Sequence, residues 1–262
     1  MKTIRFERNG AIGTIVLANP PLNRIDDDFA TSLREAVDMA SESDIRVLAV
    51  RAEGPNFSLG GEVRAWVDKD VNWFRTFVAK VNNSYRAIES LRVPTVAVVQ
   101  GAAFGGGLEL ALACDFLVTT HSSVLRCVEV TTGMLPLAGA LQRLAERVGR
   151  AFASRLSMLG EPILGTQAEA LGIATHVVPD AELSGAAEAL IQQLAVGPTR
   201  SYAATRTLLK AWSSGGVAAA DLVMLDVAME LYSGADAQRG FASTAKAFDA
   251  DAEPPPMTFE GK

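Results

Sequence analysis

The sequence predicts an α/β protein, and three observations carry that reading. Short apolar runs of strand character alternate with longer segments of helical period and do not fall into separate blocks. Glycine-bearing loops follow two of the strand-like runs, at residues 56–62 and 105–107, where α/β sheets gather their ligands. No low-complexity stretch or linker interrupts the chain before its tail. Residues 1–179 therefore read as one undivided core, followed by a helical region over 180–250 and a proline-rich tail over 251–262.

Each element has its own signal. Residues 4–6 and 12–17 flank Asn9-Gly10, a dipeptide that favours the type I′ turn of a hairpin. Asp26, Asp27 and Asp28 precede Phe29, Leu33, Ala36 and Met39 at helical spacing, the pattern of an Asp-capped amphipathic helix. Residues 47–50 read as a buried strand, and a long helix covers 73–91. The strand-like run 95–99 leads to three glycines, which open an apolar helix. Residues 115–119 and 123–125 have strand character, 136–148 and 151–159 have helical character, and 180–248 is mostly helix rich in Ala and Leu. Alternation alone does not choose among α/β topologies.

Composition narrows the function classes. At 262 residues and 49% hydrophobic content the chain can bury a substantial core. A net charge of -6 without any Lys/Arg cluster argues against a nucleic-acid partner or an anionic membrane, both of which need a concentrated basic face. Anionic small molecules stay open through local cations. Residues 1–8 lack the apolar region of a signal peptide, and the apolar stretches fall short of the ~20 residues of a membrane span. Cys114 and Cys127, with His121 and His176, make neither a disulfide framework nor a zinc site. A cytoplasmic protein without a metal is the expectation.

The densest chemical signal is Gly105-Gly106-Gly107-Leu108-Glu109. Glycines at a strand-to-helix junction let the backbone come close to a ligand and leave the first helical N–H groups aimed at it. Glu109 stands in the first turn beside those donors. Such an arrangement suits chemistry in which a carbonyl oxygen gains negative charge while a proton moves nearby. Taken singly, each part has a plainer reading: the glycines serve close packing, Glu109 complements the helix dipole, and Glu129 is a surface charge.

Four segments in register, 56–62, 95–115, 124–144 and 160–179, resemble the crotonase superfamily, the enoyl-CoA hydratases and isomerases, within a match over residues 3–250. The resemblance implies a crotonase-like spiral of repeated strand-strand-helix units with a C-terminal helical oligomerisation region, assembled as a homotrimer or homohexamer. It implies a coenzyme A thioester as substrate, with no cofactor. It places two backbone N–H donors for the thioester oxygen, the oxyanion hole, at Leu59 and Gly106. Glu109 would position and activate a water, and Glu129 would deliver a proton to C2. Isomerases of the family commonly keep only one of these glutamates, so the pair favours hydration of a 2-enoyl-CoA. Isomerisation or another enolate-forming reaction is the alternative, and a non-catalytic acyl-CoA-binding oligomer is the reading from outside enzymology.

Other residues carry two readings each. Trp66 and Trp73 belong to a pocket wall or to the core. Trp66, Phe104, Cys127 and Leu137 are expected to set pocket depth, with Cys127 either facing the pocket or filling space. Arg24 meets a CoA phosphate or is a solvated loop arginine. Pro136-Leu137-Ala138-Gly139-Ala140 stands where the family has Pro-Gly-Ala-Gly-Gly, and the N–H of Leu137 falls where the attacking water is held. Arg126 and Val128 replace a more usual Gly and Pro, and a cation beside Glu129 would favour its ionised form. Glu62 stands where many relatives have Asp. The tail around Pro254-Pro255-Pro256 is suited to wrapping a neighbouring subunit, and the Ala-rich helices of 186–247 either support self-association or pad the sheet.

Overall fold

In the computed structural model, which describes residues 3–261, the first two strands form the expected hairpin. Met1 and Lys2, which open the predicted core segment and the stretch read for a signal peptide, and Lys262, which closes the predicted tail, lie outside the described residues. Strand β1 (Ile4–Asn9) runs antiparallel to β2 (Ile12–Leu17), with Asn9 opposite Ile12. The loop is thus Gly10-Ala11, one residue beyond the predicted Asn9-Gly10. Of these only Gly10 has a positive φ, +58°. That matches a type II′ turn, because type I′ needs a positive φ at both central residues.

Helix α1 (Asp27–Glu42) is capped by the Asp26 carboxylate, which accepts the Phe29 N–H at 2.8 Å. It buries Phe29, Ala30, Leu33, Ala36, Val37 and Ala40. Met39, expected on that face, is 52% exposed, since ten residues at ~100° each carry it about 80° off the line of Phe29. Strand β3 (Val47–Ala52) begins with four fully buried residues, the continuous apolar run of a strand covered on both faces. Asp70 caps the long helix α2 (Val71–Glu89) by accepting from the Asn72 and Trp73 N–H groups. Next along the chain are β4 (Thr95–Val99), β5 (Ala102–Phe104) and α3 (Gly106–Leu112), and after them β6 (Phe116–Thr120), β7 (Val124–Arg126) and α4 (Ala140–Leu159). Helix α4 is broken at Gly149, which separates the two predicted helices. It starts four residues later than expected because residues 136–139 form a loop that reaches Glu109.

The remaining elements are β8 (Ile163–Leu164), α5 (Gly165–Ala168), β9 (His176–Val178), α6 (Leu183–Val196), α7 (Thr199–Tyr232) and α8 (Ala235–Asp249). Strands β8 and β9 are too short to show a period in sequence. One sheet has the order β1-β2-β3-β4-β6-β9 and is parallel apart from β1; a second has the order β5-β7-β8. The chain thus repeats a unit: a strand in the large sheet, a strand in the small one, then a helix. β4-β5-α3 and β6-β7-α4 are two turns of this spiral. Every turn delivers the end of a small-sheet strand and the beginning of the next segment to one region.

The large sheet is covered on both sides. Helices α1, α2 and α3 pack on one face, and α6 places Ala187, Ile191 and Leu194 on Val47, Ala49, Val96, Val98 and Val118 of the other. Within the Ala-rich region, α6 therefore pads the sheet. Helix α7, by contrast, has no buried residue and is broken at Gly215-Gly216. The tail, expected to wrap a neighbour, folds back on its own chain. Asp236 accepts the Glu260 and Gly261 N–H groups at 3.0 and 2.7 Å, and Arg46 donates to the Phe259 carbonyl at 3.0 Å.

Candidate active site

The loop after β3 behaves as an added strand on the small sheet. Ser58 bridges Ala103, donating its N–H to the Ala102 carbonyl at 3.1 Å and accepting from the Phe104 N–H at 2.9 Å. Asn23 ties the loop from below, its side-chain amide donating to the carbonyls of Glu53 and Asn56, while Ser58 Oγ donates to the Asn23 carbonyl. These bonds bring residues 58–61 beside 104–106, as the sequence order suggests.

They also correct one donor. The Leu59 N–H is committed to the Leu22 carbonyl at 2.9 Å, so it is not free to hold a ligand oxygen. Gly61, two residues on, pairs with Ile25 only through its neighbours, by the bonds Ile25 N–H to Gly60 O and Glu62 N–H to Ile25 O. Its own N–H has no partner among the described residues, and it lines the same cavity as Gly106. Gly106 is the first residue of α3, where helical N–H groups have no intrahelical acceptor. The free amide pair is therefore Gly61 and Gly106. A Cβ at Gly61 would collide with the Trp66 ring, so the indole would have to shift to admit any side chain there. The Gly60-Gly61 doublet is the one sequence signal for this donor, and a backbone amide leaves no other.

Both glutamates line the same cavity. Glu109 is 3% exposed, and its Oε1 accepts the Ala138 and Ala140 N–H groups at 2.6 and 3.1 Å. Burial pushes its pKa up to about 7, with the Glu129 charge adding to the rise while the two amides and the Arg143 guanidinium oppose it. Glu129 opens a short 3-10 turn over Glu129–Thr132, and its Oε1 lies 3.0 Å from where a Cβ on Gly105 would stand. Its Oε2 is buried with no hydrogen-bond partner among the described residues, and burial raises its pKa too. Arg126 does not confront this carboxylate; its Nε donates to the Gly160 carbonyl at 2.6 Å, at the end of α4.

Three side chains without a sequence signature hold the backbone in place. Tyr85, fully buried, donates its hydroxyl to the Gly106 carbonyl at 2.8 Å. Asn82 donates to the Leu137 carbonyl at 2.7 Å. Arg143 joins Glu89 at 2.6 Å and donates to the Ala138 carbonyl at 2.7 Å, so α4 grips the loop that in turn grips Glu109. Only the fold brings these residues to the site, and their spacing to Glu109 in sequence carries no pattern.

The cavity enclosed by these groups has a volume of about 240 Å³. Trp66 and Leu137 are on its wall, and the Leu137 N–H has no partner among the described residues. Phe104 and Cys127 are not on it. Phe104 sits in β5 opposite Arg126, and Cys127 is 2% exposed in the core with Ser157 Oγ at 4.0 Å. Trp73 stacks on Phe77 at 5.6 Å and stands behind the wall. Arg24 reaches the cavity but is half-buried, its Nη1 donating to the Leu59 and Gly61 carbonyls at 2.8 and 3.3 Å; it braces the donor loop and is not a solvated loop arginine. A larger hollow of about 580 Å³ beside α7 contains neither glutamate nor either free glycine amide.

A spiral of strand-strand-helix units that turns two unpaired amides and two acids into one apolar cavity is the crotonase architecture. The chain belongs to the enoyl-CoA hydratase/isomerase family, whose model matches residues 7–247. It is 35% identical over 182 residues, 68% of its length, to the Bos taurus mitochondrial enoyl-CoA hydratase domain-containing protein 2, of which it spans 62%. It is 35% identical over 150 residues, 57% of its length, to the enoyl-CoA isomerase/hydratase fer4 of Mycosarcoma maydis, spanning 55% of that protein. A Streptomyces coelicolor A3(2) crystal structure superposes with a TM-score of 0.90 at 28% identity, covering 99% of this chain and 94% of that one. The chain spans about three fifths of the length of the first of these curated relatives. Among the described residues no helix is long and apolar enough to cross a membrane.

Proposed function

We propose that the protein hydrates a 2-enoyl-CoA, with the Gly61 and Gly106 amides binding the thioester oxygen and Glu109 and Glu129 moving the protons. The single observation that carries this reading is that both acids and both unpaired amides line one cavity of about 240 Å³. The amides polarise the conjugated carbonyl and stabilise the enolate that forms when C3 is attacked. Each such donor contributes on the order of 10²–10³ in rate. Ionised Glu109, its Oε1 anchored by Ala138 and Ala140, turns Oε2 to a water that the Leu137 N–H also holds. As the water oxygen bonds to C3, its proton passes to Glu109. Protonated Glu129 gives its proton to C2 and closes the enolate. One water is added, and solvent resets the two acids.

The test is purified protein with crotonyl-CoA. Loss of the conjugated thioester's absorbance is the expected result. Glu109→Gln and Glu129→Gln are each expected to lower kcat by at least ~10²-fold, the scale of a positioned acid or base. Binding without any absorbance change moves the assignment to double-bond isomerisation or another enolate reaction. Undiminished kcat in both variants removes the proton-transfer roles.

A further inference from the structure

We propose that Trp66 sets the length of acyl chain this site accepts, because its indole is the fixed part of a partition between the inner cavity and a second groove outside it. The proposal rests on the reading of the inner cavity as the acyl site. The outer groove, about 430 Å³, runs past Lys69, Asp70, Val71 and Phe74. Four residues, Val63, Trp66, Thr132 and Met134, belong to the walls of both. The two spaces therefore share a wall.

Of the four, Trp66 has the bulk and is held. Its ring meets Phe74 edge-on at 5.3 Å and Phe77 at 5.7 Å, and its benzo edge lies over Gly61 so closely that a Cβ there would displace it. Swinging the indole aside breaks both aromatic contacts and uncovers the donor loop. Met134 is 39% exposed and flexible, so it adapts where Trp66 does not. The indole Nε1 is buried without a hydrogen-bond partner among the described residues. A buried donor left unpaired is a cost that phenylalanine, an aromatic of purely structural use, would avoid. The size of the indole is what phenylalanine does not supply.

The inner space matches this limit. At about 240 Å³ the inner space falls below the roughly 300–1,000 Å³ of common ligand pockets, so the acyl chain it suits is short. The substrate class is thus short-chain acyl-CoA. Removing the indole joins the two spaces and admits longer chains along the Val71 and Phe74 side.

The experiment measures binding of unreactive saturated acyl-CoAs from butyryl to dodecanoyl by calorimetry, alongside kcat/KM for the matching 2-enoyl-CoAs. The wild type is expected to lose at least about tenfold in both between six and ten carbons. Trp66→Ala is expected to recover at least about tenfold for the ten-carbon ligand, with Trp66→Phe in between. Met134→Ala, at another residue shared by both walls, gives a smaller shift in the same direction and serves if Trp66→Ala does not fold. Equal wild-type binding of four- and ten-carbon chains overturns the proposal, and so does an unchanged length profile in folded variants. Length-limited binding without hydration keeps the limit and overturns only the reaction assignment; binding of no acyl-CoA overturns both.

Discussion

Glu109 is where two opposing effects meet. Its burial penalises the charged carboxylate, while the Ala138 and Ala140 amides reward it, and burial wins with a pKa of about 7 against an ordinary 4.5. Because the folded protein holds this proton more tightly than the unfolded chain, the group's contribution to stability is complete below pH 4.5 and is lost as the pH rises through about 7. The loss amounts to about 3 kcal/mol at ~1.36 kcal/mol per pKa unit. Glu109→Gln keeps an acceptor for the two amides and cannot ionise. It is expected to match the wild type in urea unfolding at pH 4.5 and to exceed it by up to about 3 kcal/mol at pH 8. A variant no more stable than wild type at pH 8 means that the carboxylate is better solvated or better paired than its surroundings indicate. Stability forgone at a buried acid is a trade that active sites commonly make.

At the scale of elements, α4 holds the loop that holds Glu109. Arg143 ties its first turns to Glu89 on α2 and to the Ala138 carbonyl, and its charge draws the Glu109 pKa downward. Arg143→Met removes the tether and the charge together. The acid limb of the kcat pH profile is expected to move to higher pH, since Glu109 then ionises later, with kcat falling more than KM rises. A uniform loss of activity with the limb unmoved assigns Arg143 a structural role only. None of this is legible in the sequence, because Arg143, Asn82 and Tyr85 meet the site through packing between helices. The legible parts carry a local signature: the Asp26 cap, the apolar run of β3, the glycine junction at 105–107 and the first-turn Glu109. The donor loop reads two residues out from sequence, at Leu59 in place of Gly61, because which amide points inward depends on hydrogen bonds to Leu22 and Ile25 that no side chain advertises. Phe104 and Cys127 fall off the expected wall for a related reason. Closeness in sequence to a site residue does not say which face of a strand or turn a side chain takes.

For the whole molecule the unmet demand is apolar surface. The spiral buries both faces of its large sheet, yet α7 and α8 leave Val217, Leu222, Leu225, Phe241 and Phe248 more than half exposed. Exposed apolar side chains on consecutive helices suit an association surface, whereas α6 packs its own apolar face against the sheet. We propose that these two helices join copies of the chain into a homotrimer or a pair of trimers, the assembly that the family resemblance implies. Arg46 and Asp236 fasten the end of the tail, residues 259–261, to its own chain. Sedimentation equilibrium at tens of micromolar is expected to give three or six times the chain mass, and the pair Leu222→Glu and Leu225→Glu is expected to lower it to one. Since neither leucine lines the cavity that holds Glu109 and Glu129, the dissociated variant is expected to retain acyl-CoA binding. A wild type that sediments as a monomer sinks the assembly, and a dissociated variant that no longer binds acyl-CoA shows that neighbouring copies shape the cavity.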